Sequence, residues 1–557
     1  MTPRAEIKHL RPHRKGLAVL AGLGLILAAC STAGTSNNNS SSHSKVRYGG
    51  TLNVAYAEDA STLDPQVCYD SVCWDAMQML FDRLYDYYRN TTRLIPQAAS
   101  AMPKVQAGGR VYVIPIRHGM RFSNGQPVTA QDFVYSFDRI LNPKTQSPVQ
   151  GFWSGVVGAQ SYMKHPVGNV SGIKAINAST LQISLQRPDS AFPYVLAMPQ
   201  ASVIPAGSAS APGFAHHPIG SGPYTLKAWN AGTSMIFVRN PHYWHYPIPY
   251  TSEVYFHIGP SPQVQLLQLE KGQIQLMGDQ IPSSMYLQLT GNPQMKSLIV
   301  PRLGLSTYYL TFEVHMKPFN NVLVRRAVAM AINKPFLLRL VHNQGTVANG
   351  IIPPDVLGYV ASGEAPSVYN PSQAKALLAK AGYPHGFTTQ LYSWNTDPWT
   401  TLDAQIQQNL AKIGVKVQIH AIAETAFFGL TSTPNRTPMT LSFWIADFPT
   451  ASDFFDALLS CAAAVKGGEN ASFYCNPKVD SLVNRALAST TPSQAVADYQ
   501  QAQKIMMAGQ PIVPLYHANF TNVHAANLGG FFSQPIWGAS LPFYWLTTGS
   551  AKPPARG

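Results

Sequence analysis

A chain of 557 residues is long enough for a large core and for several domains or lobes. Hydrophobic residues make up 45% and charged residues only 12%, about half the usual charged share of ~25%, so Ser, Thr, Asn, Gln and Gly must cover much of the surface. The net charge is +14, but no dense Lys/Arg block or nucleic-acid motif accompanies it, and nucleic acid is not an expected partner.

The amino-terminal residues read as a processing segment. Arg4, Lys8, Arg11, Arg14 and Lys15 precede an apolar run over 16–29, which is too short for a comfortable membrane span. The run ends Leu27-Ala28-Ala29-Cys30 and resembles a bacterial lipobox, which implies removal of residues 1–29 and lipidation of Cys30. Residues 31–44 hold no large apolar side chain and read as a flexible tether. The expectation is a protein anchored outside a membrane by lipid. The segment contributes +4 (five basic residues less Glu6), which leaves the mature chain near +10. Few carboxylates and a basic balance suit an acidic exterior. Cys68, Cys73, Cys461 and Cys475 fall as two close pairs, and in an exported chain such pairs predict two local disulfides. Neither pair has the CxxC spacing of a zinc site.

In chain order, 48–55 reads as a first strand and 75–85 as a helix with apolar residues at helical spacing. Residues 110–117 read as a half-buried strand that Pro115 assigns to an edge. Ser123-Asn-Gly-Gln126 is a turn, and Thr129 with Asp132 forms a capping-box start to a helix. The stretch 151–210 is loop-rich around a strand at 180–185. Strands at 224–229 and 235–239 look paired, and 263–269 is a short helix. In the second half, a strand at 306–312 precedes a helix at 321–332. Asn370-Pro371 opens a helix that Gly382 closes. A helix at 402–413, strands at 415–421 and 439–446, a helix at 492–507 and a strand at 512–517 give a β-α-β rhythm, which predicts a sheet covered by helices. No repeat at a fixed period occurs.

The run Phe122-Ser-Asn-Gly-Gln-Pro-Val-Thr-Ala130, followed by Asp132-Phe-Val-Tyr-Ser136, resembles the signature of the extracellular solute-binding proteins of peptide ABC transporters, the oligopeptide/dipeptide-binding family, solute-binding family 5. Gly220-Ser-Gly-Pro-Tyr224 and Asn240-Pro-His-Tyr-Trp244 are similar to further landmarks in the same order. The resemblance implies an α/β, two-lobed fold of the periplasmic-binding-protein (Venus flytrap) type with an additional subdomain in the first lobe. The implied divisions are signal 1–29, lipidated cysteine and tether 30–46, lobe I 47–91, extra subdomain 92–215, lobe I again 216–305, lobe II 306–517, and a return to lobe I with the tail over 518–557. The implied partners are a peptide ligand, an ABC permease with its ATPase, and a membrane reached through the lipid anchor. A monomer without cofactor is expected.

One stretch carries the functional expectation. Leu441-Ser-Phe-Trp-Ile-Ala-Asp447-Phe-Pro puts one acid at the carboxyl end of a strand, beside Trp444 and Phe448. Ligands of open α/β sheets sit there, and a partly desolvated carboxylate is relieved by a cation. Thr450 or Ser452 can cap the helix that follows, and the plain alternative for Asp447 is a strand-end acid that caps that helix itself. Trp444-Ile-Ala446-Asp447 resembles the family segment whose acid pairs with a peptide α-amino group, which implies that role for Asp447. The expected binding set is Asp447, Trp444, Ala446, Phe448, Tyr308, Trp394, Asn395 and Trp399. Strand edges are expected to pair with the peptide backbone, and wet pockets to tolerate its side chains.

The spacing of Cys461 and Cys475 resembles a disulfide of the dipeptide branch. That branch also has an arginine for the ligand carboxylate in the loop after 387–391, whereas 392–399 here holds none and looks more like the oligopeptide branch. A same-fold binder of a sugar oligomer, haem or nickel is the alternative ligand class. His242 with His245, and His216 with His217, lack a third defined ligand, so no metal is assigned. No nucleophile elbow, HExxH or phosphate loop is present, so the chain is not expected to be an enzyme. A secreted hydrolase and a scaffold lipoprotein are the competing classes.

Overall fold

The structure, a computed structural model, describes residues 45–361 and 368–553. The signal, Cys30 and most of the tether lie outside the described residues. No described helix is long and apolar enough to cross a membrane.

Three sheets organise the chain. A five-stranded sheet runs in the order Leu276–Met277, Thr51–Tyr56, Glu253–Ile258, Ser234–Arg239, Tyr224–Asn230. A six-stranded sheet runs Gly345–Val347, Ile512–Val523, Ile299–Phe312, Met439–Ile445, Thr388–Trp394, Lys416–Ile422. A four-stranded antiparallel sheet is inserted between, built from Lys104–Gln106, Val111–Pro115, Thr180–Ser184 and Ile173–Asn177. Each sheet buries its own apolar face. Leu52, Val54 and Phe256 anchor the first core, Leu310, Leu391 and Leu441 the second, and Ile114, Phe133 and Phe137 help build the third.

Two long strands join the lobes. Ile299–Phe312 and Ile512–Val523 pair antiparallel from Ile299↔Val523 at the first lobe to Thr311↔Ile512 deep in the second. Between Leu303 and Ser306 the register slips, because Gly304 and Leu305 bulge from the ladder. Gly304 is dictated by close approach, since an added Cβ would sit 2.4 Å from the Ala518 carbonyl oxygen. Leu305 takes a left-handed backbone with φ 37°.

Several expected elements shift. The helix expected over 75–85 is Ser71–Leu80, because Asp70 caps it through the Cys73 N–H at 2.8 Å. Pro115 does not mark an edge: Val111–Pro115 lies between two strands, and its outer neighbour reaches only as far as Val113. The stretch taken as loop around 180–185 also contains the strand Ile173–Asn177 and the helix Ala159–Lys164. The Thr129–Asp132 capping box is present, with Asp132 accepting from the Thr129 N–H and hydroxyl at 2.8 Å each.

Burial gives the fold an unusual pH response. Asp75, Asp82, Asp138 and Asp403 are each pushed up to about 7, with burial as the leading cause. In the unfolded chain an aspartate ionises near ~3.9. Between those values the native protein binds more protons than the unfolded chain, so it gains stability as pH falls. His517 opposes this: burial first and Lys334 second pull it down to about 3. The carboxyls outnumber it, so the melting temperature of the ligand-free protein should rise as pH falls from about 7 to about 5. Scanning calorimetry over that range checks this, and a melting temperature that climbs steadily toward alkaline pH contradicts it.

Candidate ligand-binding site

The strand Met439–Ile445 pairs with the inter-lobe strand as far as Ser306↔Ile445. The next N–H, of Ala446, bonds the carbonyl of the bulged Leu305 at 3.0 Å. Asp447 therefore leaves the sheet at the hinge. Pro449 ends the pairing, and the helix Ala451–Leu458 starts from Thr450. The Thr450 hydroxyl does not cap it but pairs with the Ser452 hydroxyl at 2.7 Å.

The local structural duty falls to Asp453. Its Oδ2 accepts from Trp444 Nε1 at 2.8 Å and from the Asp447 N–H at 3.2 Å. The Asp447 carboxylate is thereby spared a backbone role. Only 5% of Asp447 is exposed, and both of its oxygens lie 2.8 Å from a single donor, the Tyr69 hydroxyl. None of the ion pairs among the described residues includes Asp447. Burial pushes the Asp447 carboxyl up, the Tyr69 hydrogen bond partly offsets this, and the charge of Glu469 adds to it. Burial, then the neighbouring Asp447, pushes the Asp453 carboxyl well above its ordinary range.

Tyr69 reaches across from the other lobe. It sits in the loop closed by the Cys68–Cys73 disulfide, directly before the helix Ser71–Leu80. Its ring packs edge-on against Trp74 at 5.9 Å, and Trp74 packs on Trp537 at 5.6 Å. Burial, then Asp447, pushes its phenol well up, so it remains a donor. Two further contacts cross the same gap: Phe152 meets Phe448 edge-to-face at 5.3 Å, and the Ser190 N–H donates to the Leu487 carbonyl at 2.8 Å.

Beside these contacts lies a cavity of about 900 Å³, near the upper end of the ~300–1,000 Å³ typical of small-ligand sites. Tyr69, Phe152, Trp444, Asp447 and Phe448 line it. Its wall holds five carboxylates, Asp189, Asp447, Asp456, Glu469 and Asp480, and one cation, Arg187. In a chain of net charge +14 with only 26 acids, this is a local inversion of sign. Such an arrangement can attract and desolvate a cation.

Comparison with known proteins decides the family. The family model described as bacterial extracellular solute-binding proteins, family 5 Middle, matches residues 93–466. The chain belongs to that family. The glutathione-binding protein GsiB of Escherichia coli K12 is 26% identical over 539 residues, covering 95% of this chain and 98% of the relative. The fold of this family 5 protein superimposes on the clavulanic acid biosynthesis oligopeptide binding protein 2 with a TM-score of 0.84 at 21% identity, covering 90% and 96% of the two chains. It superimposes on DppA of Helicobacter pylori, solved with the peptide STSA, with a TM-score of 0.77 at 26% identity, covering 90% and 99%. The two-lobed α/β architecture is that of these solute-binding proteins.

In this family 5 protein the expected site divides. Trp444, Asp447 and Phe448 line the cavity. Ala446 is buried behind it and serves the hinge hydrogen bond. Tyr308, Trp394 and Trp399 do not line it: they stack with Phe443 and Tyr516 inside the second lobe, Tyr308 lying 4.6 Å from Tyr516 and 5.1 Å from Trp399. Asn395 is exposed beyond that stack and its N–H bonds the Ile422 carbonyl. Tyr308 and Trp394 lie on strands and pack against Trp399, the first residue of the helix Trp399–Ala411 that covers this face. Cys461 and Cys475 are bonded, as are Cys68 and Cys73. His245 stacks on Trp244 at 4.8 Å and His216 packs on Trp229 at 4.8 Å.

Tyr69, Arg187, Asp189, Asp456, Glu469 and Asp480 were not anticipated. Flanking cysteines are a signal that could have found Tyr69. Replacing Asp453 with Ala removes the acceptor that ties Trp444 to the Asp447 backbone. Chemical denaturation should show a loss of about 1–3 kcal/mol for this change, and an unchanged midpoint would contradict the structural role.

Proposed function

We propose that this protein is the substrate-binding component of an ABC importer and captures short peptides by their free amino terminus, which Asp447 receives. The observation that carries this reading is a buried carboxylate facing an inter-lobe cavity, bonded by a phenol and in no ion pair among the described residues. An incoming ammonium supplies the missing charge through charge-assisted hydrogen bonds, and aromatic walls strip water from the rest of the ligand. The relatives' names support peptide or peptide-like cargo: glutathione for GsiB and the peptide STSA for DppA. Arg187, the one cation on the wall, is the residue available to the peptide carboxylate, in place of the arginine missing from 392–399.

Binding and lobe closure are one event here. Tyr69 and Asp447 come from opposite lobes, so the site exists only when the hinge strands bring them together. The permease of the ABC transporter, driven by its ATPase, receives the ligand-bound form. The lipid anchor on Cys30, the monomeric state and the absence of turnover belong to the same reading. They fit a receptor that presents cargo unchanged.

Asp447→Asn keeps the side chain's size and its hydrogen bond from Tyr69 but removes the charge. Affinity for a free-amine peptide should fall by about 10- to 100-fold, the worth of a hydrogen bond to a charged group, with the melting temperature held or raised. Titration calorimetry on ligand-stripped protein checks this, and an unaltered dissociation constant contradicts it. In the wild type, acetylating the peptide's amino terminus should weaken binding to a similar degree. Incubating a peptide mixture with the protein and analysing it by mass spectrometry should return every peptide intact. New fragments would contradict the receptor reading.

A further inference from the structure

A small side pocket adjoins the cavity, and capture of an amino terminus makes no use of it. Phe428, Trp444 and Glu469 line both spaces, so the two meet at the strand end that carries Asp447. The side pocket has a volume of about 40 Å³. One water needs ~10–15 Å³ on such a measure, so the pocket takes about three non-hydrogen atoms, the size of a short side chain. Its floor is sheet. Thr311 and Thr440 are register partners on the strands Ile299–Phe312 and Met439–Ile445. Their chain neighbours Leu310 and Leu441 enter the second lobe's core. Strand alternation turns both threonines to the opposite face, where the pocket lies.

The hydroxyls around the pocket differ in what they bond. Thr431 donates to the Phe428 carbonyl at 3.4 Å, and Ser472 donates to Asn470 Oδ1 at 2.6 Å. Thr311 and Thr440 are only 3% and 1% exposed, yet neither hydroxyl has a hydrogen-bond partner among the described residues. A buried hydroxyl without a partner costs free energy that a methyl group in its place would not. Valine has the same outline and suits a buried strand at least as well. The two hydroxyls therefore stabilise nothing in the empty protein. Each can both give and accept a hydrogen bond, and both face a space that reaches the cavity. Glu469, at the shared edge, is the one charged residue on the pocket wall among the described residues, and Phe427, Phe443 and Leu458 make the wall otherwise apolar. The group that matches this lining is short, neutral and hydroxyl-bearing.

We infer that this pocket, with Thr311 and Thr440 as its polar contacts, is a specificity subsite that favours peptides carrying a serine or threonine side chain. This rests on the peptide reading above and adds the class of cargo. The ammonium is held at Asp447, and a short hydroxyl-bearing side chain passes Phe428 and Trp444 to bond the two threonines. Longer side chains stay in the main cavity, so the pocket biases the choice of cargo without closing the site to other peptides.

The test compares Thr-Ala-Ala, Ala-Thr-Ala and Ala-Ala-Thr with the same peptides bearing valine, which keeps the shape and removes the hydroxyl. Calorimetry on the ligand-stripped protein should show at least one threonine peptide binding about fivefold or more tightly than its valine counterpart, the worth of a neutral hydrogen bond. In the double variant Thr311→Val with Thr440→Val that ratio should shrink to within about twofold. The melting temperature of the ligand-free variant should hold or rise, because methyl groups replace unpartnered hydroxyls. The double variant Thr311→Ser with Thr440→Ser retains both hydroxyls and should retain the preference. Equal affinity for threonine and valine peptides in the wild type means that solvent serves the hydroxyls, and it overturns the inference. A preference that survives the double valine variant overturns it too, as does a melting temperature that falls by several degrees in that variant. In each case, valine peptides that bind and weaken when their amino terminus is acetylated leave the receptor reading standing. If none of the six peptides binds, both fail together.

Discussion

An acid enclosed between two lobes with no cation of its own is the constraint on which the rest of the molecule turns. Taking a carboxylate out of water costs several kcal/mol unless a partner is found. Asp447 has a phenol that lessens that cost but does not cancel a charge. The empty closed form must therefore hold it protonated or hold it poorly, and a bound ammonium relieves both conditions. The energy that a fixed arginine would have given to folding is kept for the ligand.

The fold places that acid where its occupancy can be felt. Asp447 follows directly on Ala446, whose N–H bonds the bulged Leu305. Leu305 and Gly304 are the residues by which the two inter-lobe strands lose register. From the opposite lobe, the Cys68–Cys73 loop fixes Tyr69 at the gap. Ligand, hinge and facing lobe thus meet within a few residues. A rigid disulfide loop on one side and a soft bulge on the other let closure assemble the site without deforming either core.

Much of this was legible in the sequence because it is written in local chemistry. The strand into Asp447, the proline stop, the Thr129–Asp132 capping box and the cysteine pairs depend on neighbours a few positions apart. The acid's identity as a cavity residue was legible for the same reason, from its place at a strand's carboxyl end. What was not legible depends on long-range pairing. Tyr69 meets Asp447 across 378 positions, and no local pattern encodes that. Tyr308, Trp394 and Trp399 were misplaced because an aromatic near a strand end can face either the cleft or the covering helices, and the sheet period alone does not say which. Asp453 and Asp456 follow closely on Asp447, but only the helix Ala451–Leu458 separates them, setting one against the strand end and the other on the cavity wall. Arg187 and Asp189 follow the strand Thr180–Ser184 in a stretch read as loop, where nothing local marks them as cavity residues.

The most direct test of the account is the proton balance of binding. Calorimetric titration of a free-amine peptide at about pH 6, repeated in buffers of different ionisation enthalpy, reports the protons exchanged on complex formation. A carboxyl held up by burial and then paired with an ammonium must give up its proton, so the account predicts net proton release that disappears in Asp447→Asn. Binding with no proton release in the wild type, or release that persists unchanged in the variant, would contradict it.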